Sequence, residues 1–318
     1  MTISDEIKNL ITEKEEKVSH SKTSANGNGK ARSSRLDVLK TYKLYIDGKF
    51  PRTESGRYYV VKDADGKSLG NICRASRKDF RDAVVAARKA QAGWAAKTAY
   101  NKGQILYRIA EMLEGRKAQF ISELMQQGSS QPDAEAEVNL SVDRLVYYAG
   151  WSDKYIQVFS SVNPVESSHF NFSLPEPTGV VTILSPEHYG LIGLVSTIAP
   201  AIVGGNTVIL LASKEKPLAA VTFAEVLHSS DVPSGVVNIL TGFRPELLSH
   251  FSNHMDVNAC ACCGSDTDEI KKVQVNSSLN VKRAVIYSED NWMNEDAQNP
   301  YRIVDLQEIK TTWHPVGI

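Results

Sequence analysis

The sequence predicts an α/β protein organised on a mostly parallel sheet, and three observations carry that prediction. β-Branched runs at Val180–Leu184, Thr207–Leu211 and Val236–Leu240 recur roughly every 28 residues. The segments between them have helical length. Beyond them, VNACACCGSD and KRAVIY supply two more short strand candidates around a helix at Asp268–Val275. Strand–helix alternation of this kind builds βαβ units, hence a Rossmann-like sheet with helices on its faces. Such sheets take ligands at the carboxyl ends of their strands. That places any chemistry at Ser185–Gly190, Leu211–Glu215 and Thr241–Arg244.

The remaining elements follow in order. Residues 1–36 mix charges of both signs with Ser, Asn and Gly and read as a polar tail or linker. YKLYIDGKF then alternates like a strand and carries Asp47-Gly48, a dipeptide suited to a tight hairpin turn. Asp65-Gly66 repeats the device. Three amphipathic helices come next: one with Phe80, Ala83, Val84, Ala87 and Ala90 on its apolar face, a second with Ile105, Ile109, Met112, Leu113 and Phe120, and a third with Ala134, Val138, Val142, Leu145 and Val146. Trp94 and Trp151 close helices and read as packing residues. Residues 155–176 return to strand-like text before the parallel core begins. Gly204-Gly205 ends a helix ahead of the next strand.

Composition narrows the function. A chain of 318 residues with 42% hydrophobic and 23% charged residues is an ordinary globular composition. A formal charge of −1 favours neither nucleic acid nor an anionic membrane as partner. The apolar stretch Tyr189–Gly205 is short for a bilayer and is interrupted by Pro200. Met1–His20 lacks the apolar core of a signal peptide, and four cysteines make no disulfide framework in a chain this long, so the expected compartment is the cytoplasm.

The order of YKLYIDGKF, AVVAARKAQAGWAAKT, ILYRIAEMLEGRKAQF and EPTGVVTILSP…APAIVGGNTVIL…PSGVVNILTG resembles the aldehyde dehydrogenase superfamily over about residues 41–287. More narrowly, QQGSSQPDAEAEVNLSVDRL and the terminal KTTWHPVG resemble the degenerate C-terminal region of family 16 aldehyde dehydrogenases. The resemblance implies a dehydrogenase-like Rossmann domain over 37–287, an oligomerisation hairpin at 155–175 and an association strand within the tail at 288–318. It also implies a working parts list: a thiolate nucleophile, an asparagine oxyanion donor, a glutamate base and NAD or NADP.

Taken one at a time, those parts fail. No cysteine follows Cys263, so the domain bearing the nucleophile is expected to be missing. The family's Pro-Trp-Asn-Phe-Pro loop falls on Pro186–Gly190, with His188 at the asparagine. The glutamate's Glu-Leu-Gly-Gly-Lys run falls on NSSLNV, with Ser277 nearest, and a serine is no carboxylate base. The family's ribose-binding lysine is lost from Leu211–Lys214. The phosphate turn keeps Gly264-Ser265 but continues into Asp266–Glu269. A carboxylate about 5 Å from a phosphate charge costs roughly 3 kcal/mol at an effective dielectric near 20. Ser185, Pro186, Leu211, Gly242, Gly264 and Ser265 thus remain as vestiges of a cofactor site, and no cofactor is expected unless those vestiges still hold NAD or NADP. Cys260-x-Cys262-Cys263, with His250 and His254 upstream, lacks zinc-ligand spacing and reads as strand packing.

The sequence therefore points to a non-catalytic, assembly-forming dehydrogenase-like domain. Its expected partner is a second copy or a catalytic aldehyde dehydrogenase domain. The rival expectations are aldehyde oxidation with a nucleophile from another chain, and a dinucleotide-sensing module.

Overall fold

The computed structural model describes residues 38–287 and 291–317. The polar tail expected at 1–36 lies outside them.

The centre is a five-stranded, all-parallel sheet of β6 (Val180–Leu184), β7 (Thr207–Leu211), β8 (Val237–Leu240), β9 (Ala259–Cys263) and β10 (Arg283–Tyr287), in the order β10-β9-β6-β7-β8. Four of these strands are buried along their whole length, which is why they read as mainly apolar runs without alternation. The crossovers are α6 (Ile192–Val203), α7 (Pro217–His228), α8 (Arg244–Asn253) and α9 (Thr267–Ser278). The winding reverses between β6 and β9, so a ligand crevice opens at their carboxyl ends.

The preceding segment covers the sheet. A small sheet of β1 (Thr41–Tyr42), β2 (Tyr58–Lys62) and β3 (Ser68–Cys73) leads into α1 (Arg77–Ala95), α2 (Ala99–Gly115), α3 (Lys117–Gln126) and α4 (Gln131–Trp151). Asp47 and Gly48 both take positive φ (53° and 68°), and Ile46 and Lys49 exchange backbone hydrogen bonds around them. The chain beside this turn protects the β8 edge: Tyr45 and Ile239 exchange N–H···O bonds of 2.9 and 2.8 Å. Ser76 and Asp79 start α1 with a capping box. Trp94 is buried and donates to the Ile202 carbonyl at 2.9 Å, tying α1 to α6.

Three expectations need correction. The apolar face drawn from Ile105 to Phe120 belongs to two helices, broken at Arg116. Val146 is 41% exposed rather than interior. The strand-like text expected from residue 155 begins inside a short helix, α5 (Lys154–Phe159); β4 (Ser161–Asn163) and β5 (His169–Pro177) follow it.

The last strand, β11 (Gln307–Pro315), follows a short helix, α10 (Tyr301–Val304), and pairs antiparallel with β5 over its full length. The result is a separate three-stranded arm in the order β11-β5-β4. Gln307 anchors it, its buried side chain donating to the Gly204 carbonyl at 3.1 Å.

Candidate functional site

The switch-point crevice encloses about 430 Å3 and is lined by the loop after β6, Lys214, the start of α8, the β9–α9 turn, Tyr287 and Trp292. A larger concavity of about 880 Å3 lies between α2 and α4. Its lining includes Asp231, which precedes β8, so it opens toward the amino end of the sheet, away from the switch point.

Helix N-termini at such a crevice ordinarily offer free N–H groups to an anion. Here the protein's own carboxylates hold two of them, at α6 and α9, while the start of α8 has no side-chain cap. Helix α6 has no side-chain cap of its own; instead buried Glu137, from α4, accepts from Leu191 N at 2.7 Å and Ile192 N at 3.1 Å. Helix α9 is capped by Asp266, whose Oδ1 accepts from Asp268 N at 2.9 Å and Glu269 N at 3.0 Å.

Between these two ends lies Arg244, at the first position of α8, with a side chain only 10% exposed. Its guanidinium donates to the Cys263 carbonyl at 3.1 Å, to Glu269 Oε2 at 3.1 Å, and to the Ser185 carbonyl. Its Nε stands 3.7 Å from Glu187. Glu187 is held from the other side by Lys214 N at 2.8 Å and Ser213 Oγ at 3.3 Å. Arg244 therefore ties the ends of β6 and β9 together. Burial alone would lower its pKa, but Glu187 and Glu269 outweigh that and raise it, so the cation is fixed in place. Gly264 permits the approach: at φ +141° it has no Cβ, and one built there would sit 3.4 Å from Arg244 Nη1.

The crevice rim is closed by the segment after β10. Buried Arg144 donates to Ser196 Oγ at 2.5 Å, Trp292 O at 2.8 Å and Asn294 O at 3.1 Å. Arg302 lies over the rings of Tyr287 (4.3 Å) and Trp292 (4.6 Å). Burial raises the Tyr287 phenol well above its ordinary range, and that phenol donates to Asp305 Oδ2 at 3.0 Å.

Of the sequence-derived positions, Pro186, His188, Gly264 and Ser265 do line the crevice. The His188 side chain is 84% exposed and pairs with Glu215 at 3.2 Å. Ser185 lies beneath, its hydroxyl donating to Leu211 O at 2.7 Å. Gly242 packs against Ala75 outside the lining. Ser277 is buried near the end of α9, where the helix has returned to the amino end of the sheet. It does not join the others. The acidic turn also differs from the bare charge assumed for it, since Arg244 neutralises Glu269.

Sequence reasoning missed Glu137 and Tyr287, and it covered Glu187 and Arg244 only as members of the strand-end loops, with no role for either. A usable signal existed for the first: Glu137, Ser141, Arg144 and Tyr148 form one buried stripe along α4. Among the cysteines, Cys260 and Cys262 pack with Phe251, while Cys263 packs with Ile192 and Trp292. Burial raises the Cys260 and Cys262 thiols to about 11 and about 12. Among the described residues no group of three or more His, Cys, Asp or Glu is placed to hold a metal ion, and no helix is long and apolar enough to cross a membrane.

Residues 50–287 match the aldehyde dehydrogenase family. Retinal dehydrogenase 2 of Gallus gallus is 31% identical over 256 residues, covering 78% of this chain and 48% of that protein. An aldehyde dehydrogenase of Aspergillus niger is 30% identical over 247 residues, covering 76% and 49%. The NAD+ complex of aldehyde dehydrogenase from Bacillus cereus superposes with a TM-score of 0.74 at 26% identity, covering 78% of this chain and 51% of that one. This chain spans about half the length of the curated relatives it matches.

Proposed function

We propose, given that this chain belongs to the aldehyde dehydrogenase family, that it is a non-catalytic member whose role is assembly or scaffolding. The observation that carries the reading is the self-filled crevice. Glu137 and Asp266 occupy two of the helix N-termini, those of α6 and α9, and Arg244 is committed to Glu187, Glu269 and two strand-end carbonyls. A dinucleotide diphosphate would need to displace those carboxylates and recover the energy of a desolvated ion-pair network. The lining's cations, Lys214 and Arg244, face three carboxylates, Glu187, Asp266 and Glu269. The set does not fit an anionic cofactor.

The reacting groups are equally unsuited. The cysteines are all buried, and thiols raised to about 11 and about 12 carry almost no thiolate at neutral pH. Ser277 lies away from the crevice, and the position that does open onto it at the end of β10 is Tyr287, a phenol held protonated. On this reading the domain that would supply a nucleophile belongs to another chain or region. On the narrower kinship to family 16, the partner is a catalytic dehydrogenase domain.

A second reading, dinucleotide binding without turnover, draws on one observation: the Bacillus cereus protein of the same fold forms an NAD+ complex. Calorimetric titration with NAD and with NADP, beside light scattering, separates the two. Assembly predicts no heat with either nucleotide and a mass above that of the monomer. Micromolar binding of either nucleotide would move the assignment to a sensor.

A further inference from the structure

We propose that the concavity between the first two turns of α1 and the last turn of α8 binds the phosphate group of a small, soluble phosphomonoester. The site shares no lining residue with the switch-point crevice and does not depend on the assembly reading.

Two packed helices build it. Buried Phe80 of α1 and Phe251 of α8 stack with ring centroids 4.6 Å apart, and Phe80 also meets the His254 ring edge-on at 5.7 Å. That contact sets Arg77 and Arg81, an i, i+4 pair on α1, beside His250 and His254, an i, i+4 pair at the end of α8. With Lys78 they line an opening of about 420 Å3. That is room for a small organic body beyond the phosphate itself.

The charge of this opening is not offset by the fold. Three permanent cations, Arg77, Lys78 and Arg81, face one carboxylate, Glu54, on a chain whose formal charge is −1. Glu54 is spent on Lys78 Nζ at 3.2 Å. Asp79 is buried and turned to its own cap, accepting from Thr53 Oγ1 at 2.6 Å and Ser76 N at 2.7 Å. Arg81 reaches only the adjacent Asp82, at 3.4 Å, with both side chains more than half exposed. No carboxylate pairs with Arg77 among the described residues, although it stands at the first position of α1, where the helix dipole disfavours a cation. The imidazoles lie in the same field. Burial and then Arg77 hold His250 below its ordinary range. Burial lowers His254 as well, and Lys282, His250 and Arg77 add to that against the opposing pull of Asp256. His254 Nδ1 accepts from Asp256 N at 3.2 Å, which leaves the Nε2 N–H as its donor. Two guanidinium forks, an ammonium and two imidazoles suit a tetrahedral dianion with several oxygens. The switch-point crevice, with two cations against three carboxylates, is its electrostatic opposite.

Calorimetry of the full chain with glycerol 3-phosphate at pH 7 is expected to give a Kd below about 1 mM that weakens with added salt. Arg77→Gln removes an exposed side chain with no ion pair in the fold, so the urea midpoint should hold while binding weakens at least about tenfold. Arg81→Gln should act in the same direction. Lys89→Gln, an exposed cation of α1 outside the opening, should leave binding unchanged. Saturating ligand should also move the NMR titration midpoints of His250 and His254 to a pH higher by about half a unit or more, because a bound anion favours the imidazolium. No heat with glycerol 3-phosphate overturns the inference, as does binding indifferent to Arg77→Gln. Binding confined to phosphatidic acid vesicles would overturn the soluble ligand. A heat with NADP that Arg77→Gln abolishes belongs to this opening, and one that survives it belongs to the crevice, so this inference and the assembly reading fail separately.

Discussion

The two ends of this fold treat their polar groups in opposite ways. At the switch point, the place where a parallel sheet ordinarily receives a ligand, side chains from α4, α8 and α9 satisfy one another: Glu137 on α6, Asp266 on α9, Arg244 across both strands. On the arm, a nine-residue strand leaves one backbone edge without a partner among the described residues and exposes Ile309 and Trp313. A polar group turned inward adds rigidity and gives up recognition; one left outward does the reverse. Substitutions at the crevice should therefore act on stability, and substitutions along the arm edge on association.

The largest effect is expected at Arg144. Arg144→Ala strands two carbonyls, of Trp292 and Asn294, along with the Ser196 hydroxyl, and opens a cavity under the crevice rim. The predicted cost is roughly 4 kcal/mol in urea denaturation, with no change in assembly state before unfolding. Arg244→Ala comes next, at roughly 3 kcal/mol, because it leaves Glu187 and Glu269 facing a partly desolvated crevice. Its partner test is Arg244→Met with Glu187→Gln and Glu269→Gln, which removes both signs of charge and should regain most of that loss. If Arg244→Ala proved neutral, the crevice would not be held by its ion pairs and the contrast with the arm would fail.

The parts of this fold that the sequence disclosed are those with one strong period. Strands β6 and β7 are buried on both faces and appear as mainly apolar, β-branched runs. Asp47-Gly48 announces its turn because two positive φ angles suit few other residues. Lys154–Phe159 misled because its apolar residues, Tyr155, Ile156, Val158 and Phe159, are the aromatic and β-branched types common in strands, and six residues are too few to fix a period. The crevice itself was placed correctly by its strand ends, but its occupants were hidden. Glu137 and Leu191 stand 54 positions apart, and Arg244 and Ser185 stand 59 apart. A polar stripe on a helix also ordinarily marks the solvent face. Ser277 failed for a related reason: resemblance matched a short polar run, whereas topology puts the end of β10, and hence Tyr287, at the crevice.

Alkaline pH tests the crevice floor. Burial raises Cys260 and Cys262, in β9, from an ordinary 9.0 to about 11 and about 12. The folded chain thus retains protons that the unfolded chain releases, so the stabilisation is complete below pH 9 and is lost as pH rises toward the folded values. These two thiols should together cost about 2 kcal/mol between pH 9 and 10. Tyr42 and Tyr45, raised to about 12 mainly by burial, act in the same direction from pH 10 upward. Urea midpoints at pH 8, 9 and 10 measure the slope. A flat profile would mean that the strand admits solvent and that the sheet end is less closed than its packing indicates.

The smallest effect is expected at His188, and it sharpens the comparison most. This residue stands where the family resemblance places a catalytic asparagine, yet its side chain is 84% exposed and its one ion-pair partner, Glu215, is itself 56% exposed. Exposed pairs of this kind contribute below about 0.5 kcal/mol. His188→Asn, which restores the family residue, is predicted to leave both the urea midpoint and the calorimetric response to NAD unchanged, because Arg244, Glu137 and Asp266 stay in place. A nucleotide heat appearing in His188→Asn alone would make the loop the barrier. The inward-turned network would then be incidental, and the crevice would be one residue from a working site rather than a structural element in its own right.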